Sequence, residues 1–471
     1  MRNLNRSGVV VLWHAAIGGA IFGLMAVAYL VAGYAEAWGS GAISAPILGQ
    51  LTEYKFRGLG NIVNMLILML VFVMVIATLL TLAERKWSAL MQDRIGPNRA
   101  RIDLPIIRNY SLAGAPHILT DVVKMLTKED FQPALASKFL FNLAPALAFA
   151  PPFALFAIIP AGPTVVVAGQ QIMMAVANPD FGLLYLFAIA SLAVYGTSLA
   201  GWASNNKFAL LGGVRASSQM ISYEVALGLS LVGMMIAFGT VQLAGPTGMS
   251  ELQAQYLWRF TPAGSGLDVG IPAWGILLQP AGFILFFAAA FAETKRAPFD
   301  VPEGESEIIG YFVEYSGMKF GLFMIAEFVE VVVLAAVLVA IFFGAWHLPF
   351  GNEAIARMPI FAENGWLMGA LFASIFWTKV IGLCFLQLLI RWTFPRFRYD
   401  QIQSLGWKIL LPLGLVNVFV TGALILWDPS LRMLAIAGAL QIGIVVGLTL
   451  IPRPAERKAA EGLTHAPAGG H

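Results

Sequence analysis

The stretch GLFMIAEFVEVVVLAAVLVAIFFGAW, residues 321–346, is apolar along its whole length except for Glu327 and Glu330. About 20 apolar residues in a helix are enough to cross the hydrocarbon core of a bilayer. A backbone in hydrocarbon must satisfy its own hydrogen bonds, so a run of this length predicts a helix rather than a strand. The stretch therefore predicts a transmembrane helix that carries two carboxylates.

Comparable runs recur along the chain. The protein has 471 residues and is 59% hydrophobic and 12% charged, whereas average soluble domains are about 45–50% apolar and about 25% charged. About ten runs are long enough to span a bilayer. They cover 9–34, 60–82, 138–160, 180–202, 219–245, 271–292, 321–346, 366–390, 408–427 and 431–451. The sequence predicts an all-α fold, a polytopic transmembrane helical bundle of about ten helices.

Composition excludes several kinds of redox centre. Cys384 is the only cysteine, so the chain cannot form an internal disulfide or supply the ligands of an iron–sulfur cluster. No run carries a pair of histidines, which disfavours a bis-histidine haem. No metal site is predicted.

The lysines and arginines are distributed unequally between the two sides of the predicted bundle. Arg2 and Arg6 precede the first run, and most other basic residues fall in alternate connections. Because basic residues favour the cytoplasmic side, we expect both termini to be cytoplasmic. The connections 84–137, 203–218 and 293–320 are then cytoplasmic loops. Within the first, residues 116–127 place apolar residues on one helical face, which predicts an amphipathic helix at the membrane surface, either an anchor or a lid.

Charged residues inside membrane helices are costly and tend to be functional. The predicted helices contain Glu224, Glu327, Glu330 and Lys379. One interpretation is an ion pair between Lys379 and a glutamate that locks the bundle. We favour the other, in which these residues form a chain of groups that carry protons.

The cytoplasmic stretch FAETKRAPFDVPEGESEIIGYFVEYSG, residues 291–317, gathers carboxylates among apolar and aromatic residues. A charge run between helices is usually a solvated face. If these carboxylates are instead crowded and partly buried, their protonated forms are favoured and they titrate as a coupled set. The second cytoplasmic segment, LAERKWSALMQDRIGPNRARI, is basic and contains Arg85 and Arg94. Interfacial anchoring explains its basic residues but not the Glu84 within it.

These segments, with TDVVKMLTKED, AGWASNNKFALLGGVRASSQMISYEV and FPRFRYDQIQSLGWKILLP, resemble in order the H subunit of proton-pumping NADH:quinone oxidoreductase, respiratory complex I, called subunit 1 in mitochondria. The resemblance covers about residues 60–427. It predicts an added first helix within 1–59, an eight-helix core with a quinone channel in 60–427, an added last helix in 428–451 and a disordered tail in 452–471. The outer loop 246–270 is longer than the family pattern.

The resemblance implies a protein that joins the membrane arm to the peripheral arm, forms the quinone-access channel and begins the acidic path that couples quinone reduction to proton translocation. Quinone, either ubiquinone or menaquinone, is the substrate. NADH, FMN and iron–sulfur clusters belong to partner subunits, and this chain alone binds no cofactor. The implied partners are the peripheral-arm quinone-site and iron–sulfur subunits, small membrane-arm subunits and lipid, but no nucleic acid. The implied location is the bacterial inner membrane.

The family's roles transfer onto matching positions. The implied acidic path consists of Glu224, Glu293, Asp300, Glu303, Glu305, Glu307, Glu314 and Glu327. The implied quinone-channel lining and its ion pairs consist of Arg85, Arg94, Arg215, Lys295 and Arg296, with Phe299, Asp121 and Lys124 as wall residues. We expect quinone to enter between the amphipathic helix and the cytoplasmic ends of the second and seventh helices.

Two other interpretations remain open at this point. The membrane anchor of an energy-converting hydrogenase or of formate hydrogenlyase is related and has an acidic loop, but the segments EGESE and RIGPNR favour the quinone enzyme. A stand-alone ion transporter would also carry membrane carboxylates. We find no inverted repeat, which is common in such transporters.

Overall fold

The computed structural model shows a bundle of long helices joined by short links. The described residues are 73–100, 114–167, 170–172, 175, 177–260, 269–302, 309–350, 355 and 365–450. The predicted first helix and the tail lie outside them. The all-α polytopic fold is confirmed, since the described part contains six helices that are long and apolar enough to cross a membrane.

The elements are numbered in chain order. The helices are α1 (Met74–Met91), α2 (Pro116–Thr127), α3 (Lys138–Phe156), α4 (Gly182–Ala203), α5 (Lys207–Phe238), α6 (Met249–Leu252), α7 (Gly275–Leu278), α8 (Pro280–Glu293), α9 (Gly317–Phe342), α10 (Gly365–Thr393), α11 (Tyr399–Leu405), α12 (Leu411–Trp427) and α13 (Arg432–Leu450). A π-helical turn, Gly406–Leu410, joins α11 to α12. The strands are β1 (Val165–Val167), β2 (Gln170–Ile172), β3 (Tyr256–Phe260) and β4 (Val269–Pro272), which form two antiparallel hairpins, β1–β2 and β3–β4.

Helix α9, which contains the stretch quoted first, is the centre of the bundle. Every residue from 326 to 342 is buried. The helix packs against α1, α3 and α10. A helix that is apolar on all sides either is buried in protein or spans a membrane, and α9 is enclosed by protein over almost its whole length. Its first turns lie near Glu84 and Glu293, and we call this end of the bundle the charged end.

Helix α5 begins earlier than the hydropathy pattern predicts. The pattern predicts a helix over 219–245, with 203–218 as a loop. The helix instead starts at Lys207, because the side chain of Asn206 accepts a hydrogen bond from the amide of Phe208 (3.0 Å) and caps the helix. It ends at Gly239, whose φ of 63° is the left-handed geometry of a C-cap. The predicted loop is therefore wrong over most of its length.

The run 271–292 is not one continuous helix. It comprises the end of β4, the short helix α7 and then α8, with Gln279 at φ −141° and ψ 66° between the two helices. Pro280 follows the break as the first residue of α8. Proline is tolerated there because it lacks an amide hydrogen and its φ suits a first helical turn.

Helices α12 and α13 are joined by a short link. In it, Asp428 accepts hydrogen bonds from the amides of Ser430 (2.9 Å) and Met433 (3.2 Å). A hydrogen bond from the Ser430 hydroxyl, together with these amides, holds the pKa of Asp428 below its usual range. The link thus fixes the start of the last helix.

Candidate functional site

At the charged end, the carboxylate of Glu84 forms ion pairs with two arginines. Arg296 Nη1 donates to Glu84 Oε2 at 2.6 Å, and Arg391 Nη1 lies 2.5 Å from Glu84 Oε1. Glu84 and Arg296 are largely buried, with side chains 13% and 10% exposed, whereas Arg391 is 28% exposed. The guanidinium of Arg296 also lies 3.9 Å from the ring centroid of Phe328. One residue of α1 therefore ties together α10 and the segment that follows α8.

A small cavity lies beside this double ion pair. Its volume is about 10 Å³, close to the space that one water molecule needs. Most of its wall is apolar, and the two arginines and Gln387 supply the polar groups. The lining residues are Leu80, Phe291, Arg296, Phe328, Val331, Cys384, Gln387, Leu388 and Arg391. We call it the arginine cavity.

Four glutamates from three helices form a series of electrostatically interacting carboxylates. Glu293, the last residue of α8, is 3% exposed and interacts electrostatically with Glu330 of α9 and Glu224 of α5. Glu330 in turn interacts with Glu327 of α9, and Glu327 Oε1 accepts a hydrogen bond from the hydroxyl of Tyr311 at 2.7 Å. We call these four glutamates the acid chain. Neither oxygen of Glu293 has a hydrogen-bond partner among the described residues.

Two cations connect the acid chain to the double ion pair. Lys295 is 4% exposed, and its ammonium nitrogen lies 5.3 Å from the ring centroid of Tyr311. It interacts electrostatically with Glu293 and Glu330, and Arg296 also interacts with Glu330. Because Arg296 contacts Glu84 as well, one side chain links the double ion pair to Glu330 of the acid chain.

Gln219 of α5 holds the end of α8 and the backbone that follows it. Its amide nitrogen donates to the carbonyls of Ala292 (2.8 Å) and Phe299 (2.9 Å). The ring of Phe299 packs 5.6 Å from that of Tyr223 and 5.4 Å from that of Phe397, centroid to centroid. Phe299, expected as a channel wall, therefore lies within the packed interior.

Only part of the acidic loop is described. Glu303, Glu305 and Glu307 lie outside the described residues. Of the others, Asp300 has a carboxylate oxygen 3.7 Å from Arg396 Nη2, and Glu314 accepts a hydrogen bond from Asn206. The described parts of the loop are thus tied to the segment just after α10 and to the N-cap residue of α5.

Helix α2 is amphipathic and lies on the surface beside α1 and α9. None of its residues is buried, and Leu119 and Leu126 are 70% and 63% exposed. It is attached by Asp121, which pairs with Arg85 at 2.6 Å, and by Met125, whose sulfur lies against Gly321 of α9. A surface helix with an exposed apolar face suits the membrane interface.

The remaining predicted site residues lie away from the cavity or at its edge. Lys124 is exposed on α2. Arg94 donates to Gln92 in the turn after α1. Arg215 lies 6.0 Å from the ring centroid of Tyr399, where α5 meets α11.

Comparison with known proteins identifies the family. A model of the NADH dehydrogenase family matches residues 63–422. An H subunit of NADH-quinone oxidoreductase from Cytophaga hutchinsonii is 42% identical over 354 residues, which is 75% of this chain and 93% of that protein. The H subunits from Flavobacterium psychrophilum (40% identity; 75% and 93% covered) and Geobacter metallireducens (42%; 74% and 92%) are similar in the same way. The chain belongs to the H-subunit family of NADH-quinone oxidoreductase.

Membership of this family confirms the resemblance seen in the motifs and decides against the hydrogenase and transporter interpretations. The matched region ends at residue 422, within α12. Helix α13 therefore lies beyond the part of the chain that the family model covers.

Two residues of the charged end are absent from the predicted site, namely Glu84 and Arg391. The sequence offers one sign of the first, a glutamate that interfacial anchoring does not explain. It offers none of the second, because Arg391 has the position of an ordinary basic flank of a membrane helix.

Lys379 lies apart from the acid chain. Its ammonium donates to the carbonyls of Phe343 (2.8 Å), Ala345 (2.9 Å) and His347 (2.6 Å), just beyond the end of α9. The nitrogen also lies 4.5 Å from the ring centroid of Trp274. The three ammonium protons are therefore taken up by backbone oxygens, and the predicted ion pair with a glutamate is wrong. A place for Lys379 in a proton chain stays a prediction.

Proposed function

We propose that this chain is the membrane component of a proton-translocating NADH:quinone oxidoreductase that forms the quinone-access path and starts the coupling to proton translocation. NADH, FMN and the iron–sulfur clusters belong to partner subunits of the peripheral arm. The complex lies in the bacterial inner membrane, with both termini of this chain and the charged end on the cytoplasmic side. Family membership supports the complex, and the acid chain supports the coupling role.

Quinone approaches between α2 and the charged ends of α1 and α9, and its head group moves toward the arginine cavity. The exposed apolar face of α2 suits the isoprenoid tail. The two arginines suit the quinone oxygens, which accept hydrogen bonds from guanidinium groups. A cavity of about 10 Å³ cannot hold a quinone ring, so α1 and α10 must part, or their side chains rotate, when quinone arrives.

Reduction of quinone takes up electrons from the partner's last cluster and protons from the site. The change of charge acts first on Arg296, which contacts Glu84 and interacts with Glu330. The protonation of Glu330 and Glu293 then shifts, because buried carboxylates that interact titrate together. Glu224 and Glu327 pass the change into the membrane.

The observation that carries the proposal is the burial of Glu293 between Glu224 and Glu330. The test replaces Glu293 or Glu330 with glutamine in the assembled complex, with Glu251→Gln near the far end of α9 as the control. We expect both variants to assemble and to lose at least tenfold in coupled proton translocation, with Glu251→Gln unchanged. Proton translocation and NADH:quinone reductase activity are measured in inverted membrane vesicles.

Full rates of both activities in both variants would refute the coupling role. The same assay on Glu305→Gln and Glu307→Gln extends the test to the middle of the acidic loop. Purification of the tagged chain tests the assembly itself, since it should bring down flavin- and iron–sulfur-containing partners.

A further inference from the structure

The break between α7 and α8 leaves backbone groups without partners in the middle of an apolar segment. The first amides of a helix and the last carbonyls of the helix before it have no intrahelical partner. In hydrocarbon each such group costs several kcal/mol if it stays unsatisfied. The carbonyl of Leu277, near the end of α7, and the amide of Ala281, at the start of α8, therefore need partners from elsewhere in the bundle.

Helix α13 supplies one of these partners. The amide of Ala281, in the first turn of α8, donates to the side-chain oxygen of Gln441 at 3.2 Å. One turn earlier on α13, a Cβ placed on Gly438 would clash with the carbonyl oxygen of Leu277. Only a residue without a side chain permits so close an approach between helices. The backbone of α13 is thus in direct contact with the break.

Helix α12 holds the break from the other side. The Gln279 side chain donates to Thr421 Oγ1 at 2.6 Å and accepts from Asn417 Nδ2 at 3.1 Å. All three residues are buried, with exposures of 1%, 1% and 7% for Gln279, Thr421 and Asn417. The polar side chains of the break are therefore satisfied by α12, whereas the amide at the start of α8 is satisfied by α13.

The hairpin β3–β4 supports the base of α13. Arg432 Nε donates to the carbonyl of Leu257 at 3.1 Å. Leu434 and Ala435 pack with Leu257 and Leu278 in one apolar cluster. The hairpin comes from the outer loop that the sequence predicts to be longer than the family pattern, and it contacts a helix that lies beyond the residues matched by the family model.

We propose that α13 and the β3–β4 hairpin form an intramolecular clamp that fixes the broken helix α7–α8, with Gln441 as the acceptor for the first turn of α8. Helix α8 carries Glu293 at its other end, so the clamp sets the position of the acid chain. The clamp stands on the contacts alone. Its consequence for proton translocation rests on the proposed function.

The test uses the whole complex and hydrogen–deuterium exchange over residues 275–285. Gln441→Met keeps the length of the side chain and removes the acceptor, and we expect the amide of Ala281 to exchange about five- to tenfold faster, the effect of losing one hydrogen bond. Gln441→Glu keeps an acceptor oxygen and should restore slow exchange. Rescue of this kind separates hydrogen bonding from packing.

The glycines of α13 provide a matched pair. Gly438→Ala should raise the rate of amide exchange at the break or prevent assembly of the complex. Gly443→Ala should do neither, because a Cβ added there meets nothing within 4 Å. Unchanged exchange in both Gln441→Met and Gly438→Ala would overturn the clamp. Faster exchange with an unchanged ratio of protons to NADH would keep the clamp and refute its link to the acid chain, independently of the Glu293→Gln result.

Discussion

Replacing Glu84 with glutamine removes the one negative charge that Arg296 and Arg391 share. The change keeps the shape of the side chain and leaves one oxygen to accept a hydrogen bond. Arg296, which is 10% exposed and stacked on Phe328, then keeps its charge without a full counter-charge. Arg391 is 28% exposed and can turn toward water, so most of the cost falls on Arg296.

The size of the effect follows from this difference in burial. Removing one partner of a buried ion pair costs about 3–5 kcal/mol. The glutamine oxygen retains one hydrogen bond worth about 1 kcal/mol, which leaves about 2–4 kcal/mol. At about 1.4 kcal/mol per factor of ten, this corresponds to thermal inactivation roughly 30- to 700-fold faster.

The assay follows loss of NADH:quinone reductase activity in isolated membranes at a fixed elevated temperature. The double variant Glu84→Gln with Arg296→Gln should inactivate more slowly than Glu84→Gln alone, because it no longer buries a guanidinium that has lost its ion pair with Glu84. Pairing Glu84→Gln with Arg391→Gln should restore less. The reasoning is refuted if Glu84→Gln inactivates less than threefold faster than the unaltered protein, or if the two double variants behave alike.

Three further outcomes are expected. Gly212→Ala should lower the free energy of unfolding by about 1–3 kcal/mol through overpacking, because its Cβ would lie 2.7 Å from backbone atoms of Gly310 and Tyr311. Gly228→Ala, which has open space around it, is the control. Equal melting temperatures of the two variants would contradict the contact. Asp121→Asn should cost less than about 1 kcal/mol because its pair with Arg85 is exposed, and a melting curve of the complex that shifts further would show that a partner covers the pair. Cys384 is 1% exposed in the wall of the arginine cavity, so it should react slowly with a maleimide. The reaction should be slower still when a quinone analogue is bound. A labelling rate that does not change when the analogue is added would place the quinone elsewhere.

Hydropathy locates the membrane helices but not their ends or interruptions. The start of α5 is set by one capping side chain, Asn206, whose effect extends a helix through residues that are too polar to count as a membrane span. The break at Gln279 is marked in the sequence only by the proline that follows it. Apolar content alone does not distinguish one long helix from two shorter pieces, so the pattern predicts a single span there.

Within the site, the sequence predicts residues that belong to motifs but not the ion pairs between distant helices. Motifs predict Glu224, Glu293 and Glu327 in one acidic path, and the structure brings these residues together with Glu330. The partners of Glu84 could not be predicted in this way, because Arg391 lies on a helix far along the chain and meets Glu84 only through packing. Pairings that depend on three-dimensional packing of distant helices leave no local pattern in a single sequence.

The three carbonyls that hold Lys379 have a consequence for how the chain enters the membrane. A lysine within an inserting helix costs about 2.5–3.5 kcal/mol, and here the compensating oxygens belong to the segment just after α9. Helix α10 therefore gains this compensation only when the end of α9 is already beside it. We expect the insertion machinery to release α9 and α10 as a pair, so that the order of synthesis also becomes the order of assembly around Lys379.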